Sequence, residues 1–188
     1  EFKKRNISLD FFIAGDGELL EACRERIIAE DLPVKVLGWQ SNIEKVLSAA
    51  DIVVLTSDNE GTPLSLIQAG MAGLPVVSTN VGSVPEVVLD NVTGLITSLD
   101  VQEIADALEK LVSDKALRAQ LGIEAQIGAG PFVLRGVGVG VGEGTVDVER
   151  YEAAAFGRII RVFFSVLTSL PIVEVVERAF FAIKKFFV

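Results

Sequence analysis

Ala50 to Ser78 reads ADIVVLTSDNEGTPLSLIQAGMAGLPVVS, and this stretch decides the fold. Ile52 to Thr56 is a continuous β-branched and apolar run, the mark of a strand buried on both faces rather than on one. Ser57 to Gly61 is a polar loop, Pro63 to Ala72 carries a helical pattern, and Leu74 to Ser78 is a second buried strand. Strand, helix and strand in about 30 residues form the repeating unit of a parallel sheet. Ligands of such sheets bind beyond the carboxyl ends of the strands, where helix N-termini present unpaired N–H groups and the positive end of the helix dipole. The loop Ser57 to Ser65 lies at such a position. Pro63 suits the first helical turn, which makes Thr62 the expected N-cap and leaves the amides of Leu64 and Ser65 facing forward. Gly61 lets the backbone approach a ligand closely. Two readings stand side by side: Thr62-Pro63 caps a helix and nothing more, or the turn is an anion cradle built without lysine. Glu60 favours the second, because a carboxylate beside an anion site is unfavourable unless it binds something else, such as sugar hydroxyls.

The same alternation extends outward. Leu9 to Ala14 is an apolar run closed by Gly15-Asp16-Gly17, followed by a helix from Asp16 or a neighbour to about Glu30. Val34 to Trp39 reads as a strand and Ile43 to Ala50 as a short helix. A short helix after Ser83, a strand at Gly94 to Thr97, and helices from Val101 to Val112 and Lys115 to Gly122 follow. The expected fold class is α/β with a doubly wound parallel sheet. Ser83-x-x-Glu86 and Asp100-x-x-Glu103 have capping-box spacing, so both glutamates read as helix-start residues.

Composition removes several chemistries. The 188 residues include 17 Lys and Arg against 26 Asp and Glu, a net charge of -9, with no His and one Cys. Nucleic-acid affinity rests on clustered basic residues, so no nucleic-acid partner is expected. Cys23 alone cannot form an internal disulfide, and no metal site is expected without His or a second Cys. Its place on an apolar helical stripe makes it a core residue. Glu1 to Asn6 is charged, with no apolar run of a signal peptide, and the expected localisation is cytoplasmic.

The charge is unevenly spread. Residues 1 to 126 carry a net of -10 and residues 127 to 188 a net of +1, and the latter also hold 8 of the 17 Gly and 8 of the 11 Phe. Two segments are therefore expected: an α/β lobe over 1–126 and an atypical apolar tail over 127–188. In the tail, Gly136 to Gly144 alternates Gly with Val, and Tyr151 to Leu170 and Ile172 to Val188, separated by Pro171, have helical potential. The longest uncharged run, Val162 to Val173, has 12 residues, against the ~20 of a spanning helix. Three readings compete for it. They are a hairpin that completes the core, a peripheral membrane contact with Arg158, Arg161, Arg178, Lys184 and Lys185 at the water side, and an ending not native to the lobe, such as an out-of-frame translation after Gln126.

The motifs together resemble a known family. Glu60-Gly61-Thr62-Pro63-Leu64 through Gln68-Ala69-Gly70-Met71-Ala72-Gly73-Leu74-Pro75-Val76-Val77 is similar to the E-x7-E segment of the family-four retaining glycosyltransferases of the GT-B fold. Flanking pieces occur in the same order: Phe12 to Gly17, Val36 to Trp39, Ala50 to Leu55, Val81 to Val88 and Asn91 to Ile96. The resemblance, over residues 7 to 126, implies the C-terminal donor-binding lobe of a two-lobed, Rossmann-like enzyme whose substrate is a nucleotide-diphosphate sugar and which needs no cofactor. By position it implies that Glu60 holds hydroxyls of the donor sugar and serves catalysis. The backbone of Gly61, Thr62, Pro63, Leu64 and Ser65 would hold the diphosphate. Gly38 and Trp39 would lie against the base, and the loop at Gly15 would border the donor cleft. The second acidic position of the motif, which binds ribose in the family, is Gln68 here, so one neutral acceptor and one donor replace a carboxylate.

The resemblance further implies a separate N-terminal acceptor lobe as partner and basic residues on the diphosphate from upstream; Lys3, Lys4 and Arg5 match no such motif. Retaining glycosyl transfer is the expected reaction of the parent protein, with this chain alone inactive. The competing readings are a non-catalytic nucleotide-sugar binding or interaction module, and an epimerase of the same fold, whose chemistry usually leans on a His that this chain lacks.

Overall fold

The structure is a computed structural model that describes residues 9–17, 19–134 and 160–165. The elements run β1 (Leu9–Ala14), α1 (Leu20–Ala29), β2 (Val34–Gly38), α2 (Ile43–Ser48), β3 (Ile52–Leu55), α3 (Leu64–Met71), β4 (Val76–Thr79), α4 (Val84–Val87), β5 (Gly94–Thr97), α5 (Val101–Ser113), α6 (Lys115–Leu134) and β6 (Ile160–Ser165). Each expected strand and helix of the first segment is present.

The six strands form one parallel sheet in the order β2-β1-β6-β3-β4-β5. Alternate strand residues serve two cores. Phe11, Ile13, Ile52, Val54, Val77 and Leu95 pack with Cys23 of α1 and with Ile104, Leu108 and Leu111 of α5. Phe12, Ala14, Val53, Leu55 and Val76 pack with Leu47 of α2, Leu66 and Ala69 of α3 and Val84 of α4. Because both faces are covered, the strands show no apolar and polar alternation.

Helix starts differ from the capping expectations. Asp100 does cap α5, accepting from the amides of Gln102 at 2.7 Å and Glu103 at 3.2 Å. The Glu103 carboxylate accepts from the amide of Ser98 at 2.9 Å, two residues earlier than a capping box would have it. Ser83 is the N-cap of α4 but makes no side-chain cap, and Glu86 is exposed. Helix α1 begins at Leu20, not at Asp16.

Helix α6 continues through Gly122 to Leu134, beyond the expected end. Its glycine is a packing residue, not a terminator. A side chain at Gly122 would collide with the carbonyl of Gly73, whose carbon would stand 3.1 Å away, and a side chain at Gly70 would meet the Ala125 carbonyl at 3.2 Å. Small residues thus let α6 lie directly on α3. Helix propensity alone makes Gly122→Ala stabilising by ~1 kcal/mol. The collision reverses the sign, and a net loss of ~1–3 kcal/mol is expected in urea denaturation.

The tail departs from its helical expectation in the part described. Residues 160–165 are a strand, β6, placed between β1 and β3. Ile160-Arg161-Val162-Phe163-Phe164 is rich in β-branched and aromatic residues, and pairing on both sides satisfies its backbone in a way that no isolated helix of this length would. In a doubly wound sheet of order 3-2-1-4-5-6, β6 holds the position of the first strand. The expected helix at Ile172 to Val188 and the Gly-Val run lie outside the described residues. Among the described residues no helix is long and apolar enough to cross a membrane.

Candidate functional site

The strand order of the sheet reverses at β6, and the loops after β1 and β3 leave its carboxyl edge on either side of that point. In doubly wound sheets this is the crevice that takes ligands.

The loop after β3 is held from below. The hydroxyl of buried Thr79, at the end of β4, donates to the Ser57 carbonyl at 2.6 Å. Three residues on, the Ser83 amide donates to the Glu60 carbonyl at 3.2 Å. Glu60 is only 8% exposed, yet its carboxylate makes no hydrogen bond or ion pair among the described residues. Its main chain is fixed while its charge stays unspent.

The turn that follows differs by one residue from expectation. Pro63, not Thr62, is the N-cap of α3, with φ -76° and ψ 77°, and no side chain caps the helix. The pyrrolidine ring fixes φ but not ψ, and here ψ is non-helical, so the helix starts at Leu64. Leu64 is correspondingly not a free donor: its amide turns back onto the Thr62 carbonyl at 2.8 Å. The amides of Gly61, Thr62 and Ser65 donate to no group among the described residues. The buried Ser65 Oγ has no partner either. Free N–H groups and the positive end of α3 thus follow directly on Glu60 in the chain, with the buried Ser65 hydroxyl in the first helical turn.

Gln68 lies one helical turn beyond Leu64, half-buried, while its neighbours Leu66, Ile67, Ala69 and Gly70 face the core. On the other side of the switch point, the Gly15 amide donates to the Gly38 carbonyl at 2.8 Å, which joins the loops after β1 and β2. Trp39 projects from this junction and is 72% exposed. The residues expected at the site thus fall into two groups on one edge of the sheet, Gly15, Gly38 and Trp39 in one and Glu60 to Ser65 with Gln68 in the other. With β6 between them, β1 and β3 stand about 10 Å apart, two interstrand spacings.

Sequence reading missed Thr79, Gly82 and Ser83, which carry the Glu60 loop. A glycine between a strand and a helix was the available signal. Cys23 is buried, and burial pushes its thiol up, with a smaller opposite pull from Arg26. Among the described residues no three His, Cys, Asp or Glu side chains gather as a metal site would require.

Comparisons with known proteins agree with this architecture. The chain is 33% identical over 112 residues to the UDP-Gal:alpha-D-GlcNAc-diphosphoundecaprenol alpha-1,3-galactosyltransferase of Escherichia coli, covering 57% of this chain and 29% of that protein. It is 29% identical over 125 residues to the N-acetyl-alpha-D-glucosaminyl L-malate synthase of Bacillus anthracis, covering 64% and 32%. Among solved structures, Anabaena HepE in complex with UDP matches with a TM-score of 0.60 at 26% identity, over 64% of this chain and 36% of that one. TarM matches with a TM-score of 0.64 at 27% identity, over 69% and 27%. The chain thus spans about a third of the length of these relatives. These structural neighbours are GT-B glycosyltransferases, and residues 1–127 match the sequence profile of the glycosyl transferases group 1. The chain belongs to that family.

Proposed function

We propose that residues 1–126, with β6 completing the sheet, are the nucleotide-sugar-binding lobe of a retaining hexosyltransferase whose acceptor is bound by a separate N-terminal lobe. The observation that carries this reading is a mostly buried Glu60 whose carboxylate has no partner among the described residues, directly preceding the free amides at the open N-terminus of α3. A diphosphate fits the amides of Gly61, Thr62 and Ser65, and the sugar beyond it offers its hydroxyls to Glu60. Gly15, Gly38 and Trp39 receive the base. Two relatives support the choice of ligand: HepE was solved with UDP-glucose, and the E. coli relative is named for UDP-Gal.

The chemistry follows from this placement. Transfer from a nucleotide sugar requires the sugar-oxygen bond to the diphosphate to break, and negative charge grows on the leaving phosphate. The dipole of α3 and the free amides stabilise that charge without reorganising. Glu60 fixes the ring's orientation, which contributes through positioning. The expected result in a calorimetric titration is binding of both UDP and UDP-glucose by the chain, with little or no transfer until an acceptor lobe is added. Failure to bind either nucleotide, or robust transfer by the chain alone, would count against the reading.

One residue favours a second reading, a nucleotide-sugar binding module without catalysis: Gln68 offers a single acceptor where a carboxylate takes two hydroxyl protons. Charge-assisted bonds are about twice as strong as neutral ones, so Gln68→Glu is expected to tighten UDP binding about fivefold. The 2′-deoxy analogue should gain less, and an equal gain for both would remove Gln68 from the ribose.

A further inference from the structure

We infer that Gly82, in the turn between β4 and α4, is the positioning residue for Glu60, acting by direct contact of backbone on backbone. The inference rests on the reading of Glu60 as the sugar-binding carboxylate.

Gly82 has φ +49°. A Cβ there would overlap the Glu60 carbonyl oxygen and would stand 2.8 Å from its carbon and 3.1 Å from the Glu60 nitrogen. All three are main-chain atoms, so no side chain can swing aside to make room. The contact is flanked by two hydrogen bonds from the same stretch, Thr79 Oγ1 to the Ser57 carbonyl and the Ser83 amide to the Glu60 carbonyl. The turn after β4 is thus a platform on which the Ser57 to Glu60 loop lies flat. The contact lies at one end of the site: the three atoms nearest to a Cβ at Gly82 all belong to Glu60, five residues before Ser65 at the start of α3. A bulkier residue at 82 therefore displaces the Glu60 peptide, moving the Glu60 side chain and the Gly61 amide that shares this peptide, while the Ser65 amide at the start of α3 lies beyond the contact.

The test compares Gly82→Asn with Gly73→Asn in the full chain. Asn enters left-handed backbone more readily than most residues, and Gly73 has a comparable φ of +69° with no atom nearer than 3.8 Å to a Cβ. The pair shares the chemical change and the backbone region and differs in the contact with Glu60. Titrations use UDP and UDP-glucose, and amide hydrogen exchange is followed at Ser83, whose N–H bonds to the Glu60 carbonyl, and in β3 of the free protein. Gly82→Asn should weaken UDP-glucose more than UDP by about tenfold, UDP losing only the share of the Gly61 amide, and accelerate exchange of the Ser83 amide, which is bonded to the Glu60 carbonyl, by a similar factor, with β3 unchanged. Gly73→Asn should do neither. Equal loss of both ligands, or exchange at Ser83 no faster than in Gly73→Asn, would overturn the assignment. So would a Gly82→Asn chain that fails to fold beside a folded Gly73→Asn, since Gly82 would then serve the sheet as a whole. If the unsubstituted chain binds neither ligand, the proposed function falls, and hydrogen exchange alone decides whether Gly82 holds the loop.

Discussion

Glu60→Ala is expected to weaken UDP-glucose binding by about 10- to 100-fold while leaving UDP unchanged or slightly tighter. The magnitude follows from hydrogen bonds to a charged group, each worth ~1.5–3 kcal/mol, with 1.4 kcal/mol per tenfold in affinity. The sign for UDP follows from the chain order: Glu60 directly precedes the free amides of Gly61 and Thr62, so removing its charge removes repulsion from a diphosphate held there. The two titrations thus separate, UDP-glucose weakening while UDP does not, which no general loss of folding can imitate. Glu60→Gln separates charge from shape and should retain part of the sugar affinity. Equal losses for both ligands would contradict the role given to Glu60. Because Gly82 acts through Glu60, the double variant Glu60→Ala with Gly82→Asn should lose little more than Glu60→Ala alone.

Phe163→Pro is expected to have the larger effect on stability. β6 pairs with β1 at six registered positions and with β3 at three. Among the described residues it is the only ladder between β2-β1 and β3-β4-β5. Proline removes a donor from the middle of the sheet and cannot be moved to an edge. A loss of at least about 3 kcal/mol is expected, against the 5–15 kcal/mol typical of whole domains. For a chain of this size that corresponds to a fall of about 10 °C in Tm by circular dichroism. Donor binding should fall with it, for both UDP and UDP-glucose, since β6 separates the two groups of site residues. A Phe163→Pro chain that melts with the unsubstituted protein would show that β6 does not join the halves.

The first five strands were legible because burial on both faces writes itself into the sequence as uninterrupted apolar runs. Ile52 to Leu55 is the clearest case: all four residues are buried. β6 was not legible, since an apolar run such as Ile160 to Ser165 reads equally well as part of a helix, and what decides is a slot between two strands far away in sequence. The cradle at Gly61 to Ser65 was visible from its Gly, Thr and Pro, but the cap fell one residue later because proline dictates φ and leaves ψ to its surroundings. The supports of Glu60 were invisible for a different reason. Thr79 and Gly82 act on main-chain atoms about 20 residues away, and no local pattern records a contact of that kind.

The place of β6 also bears on the order in which the molecule is made. Leu9 and Ile160 are paired neighbours in the sheet although about 150 residues separate them in the chain. During synthesis β1 and β3 emerge early, each with a bare edge, and both wait for the last described strand before the sheet closes. Contacts of such long range slow folding, and unpaired edges invite association with other chains. Between translation of α6 and translation of β6 the facing edges of β1 and β3 therefore lack the strand that joins them, and association with other chains is most favoured in that interval.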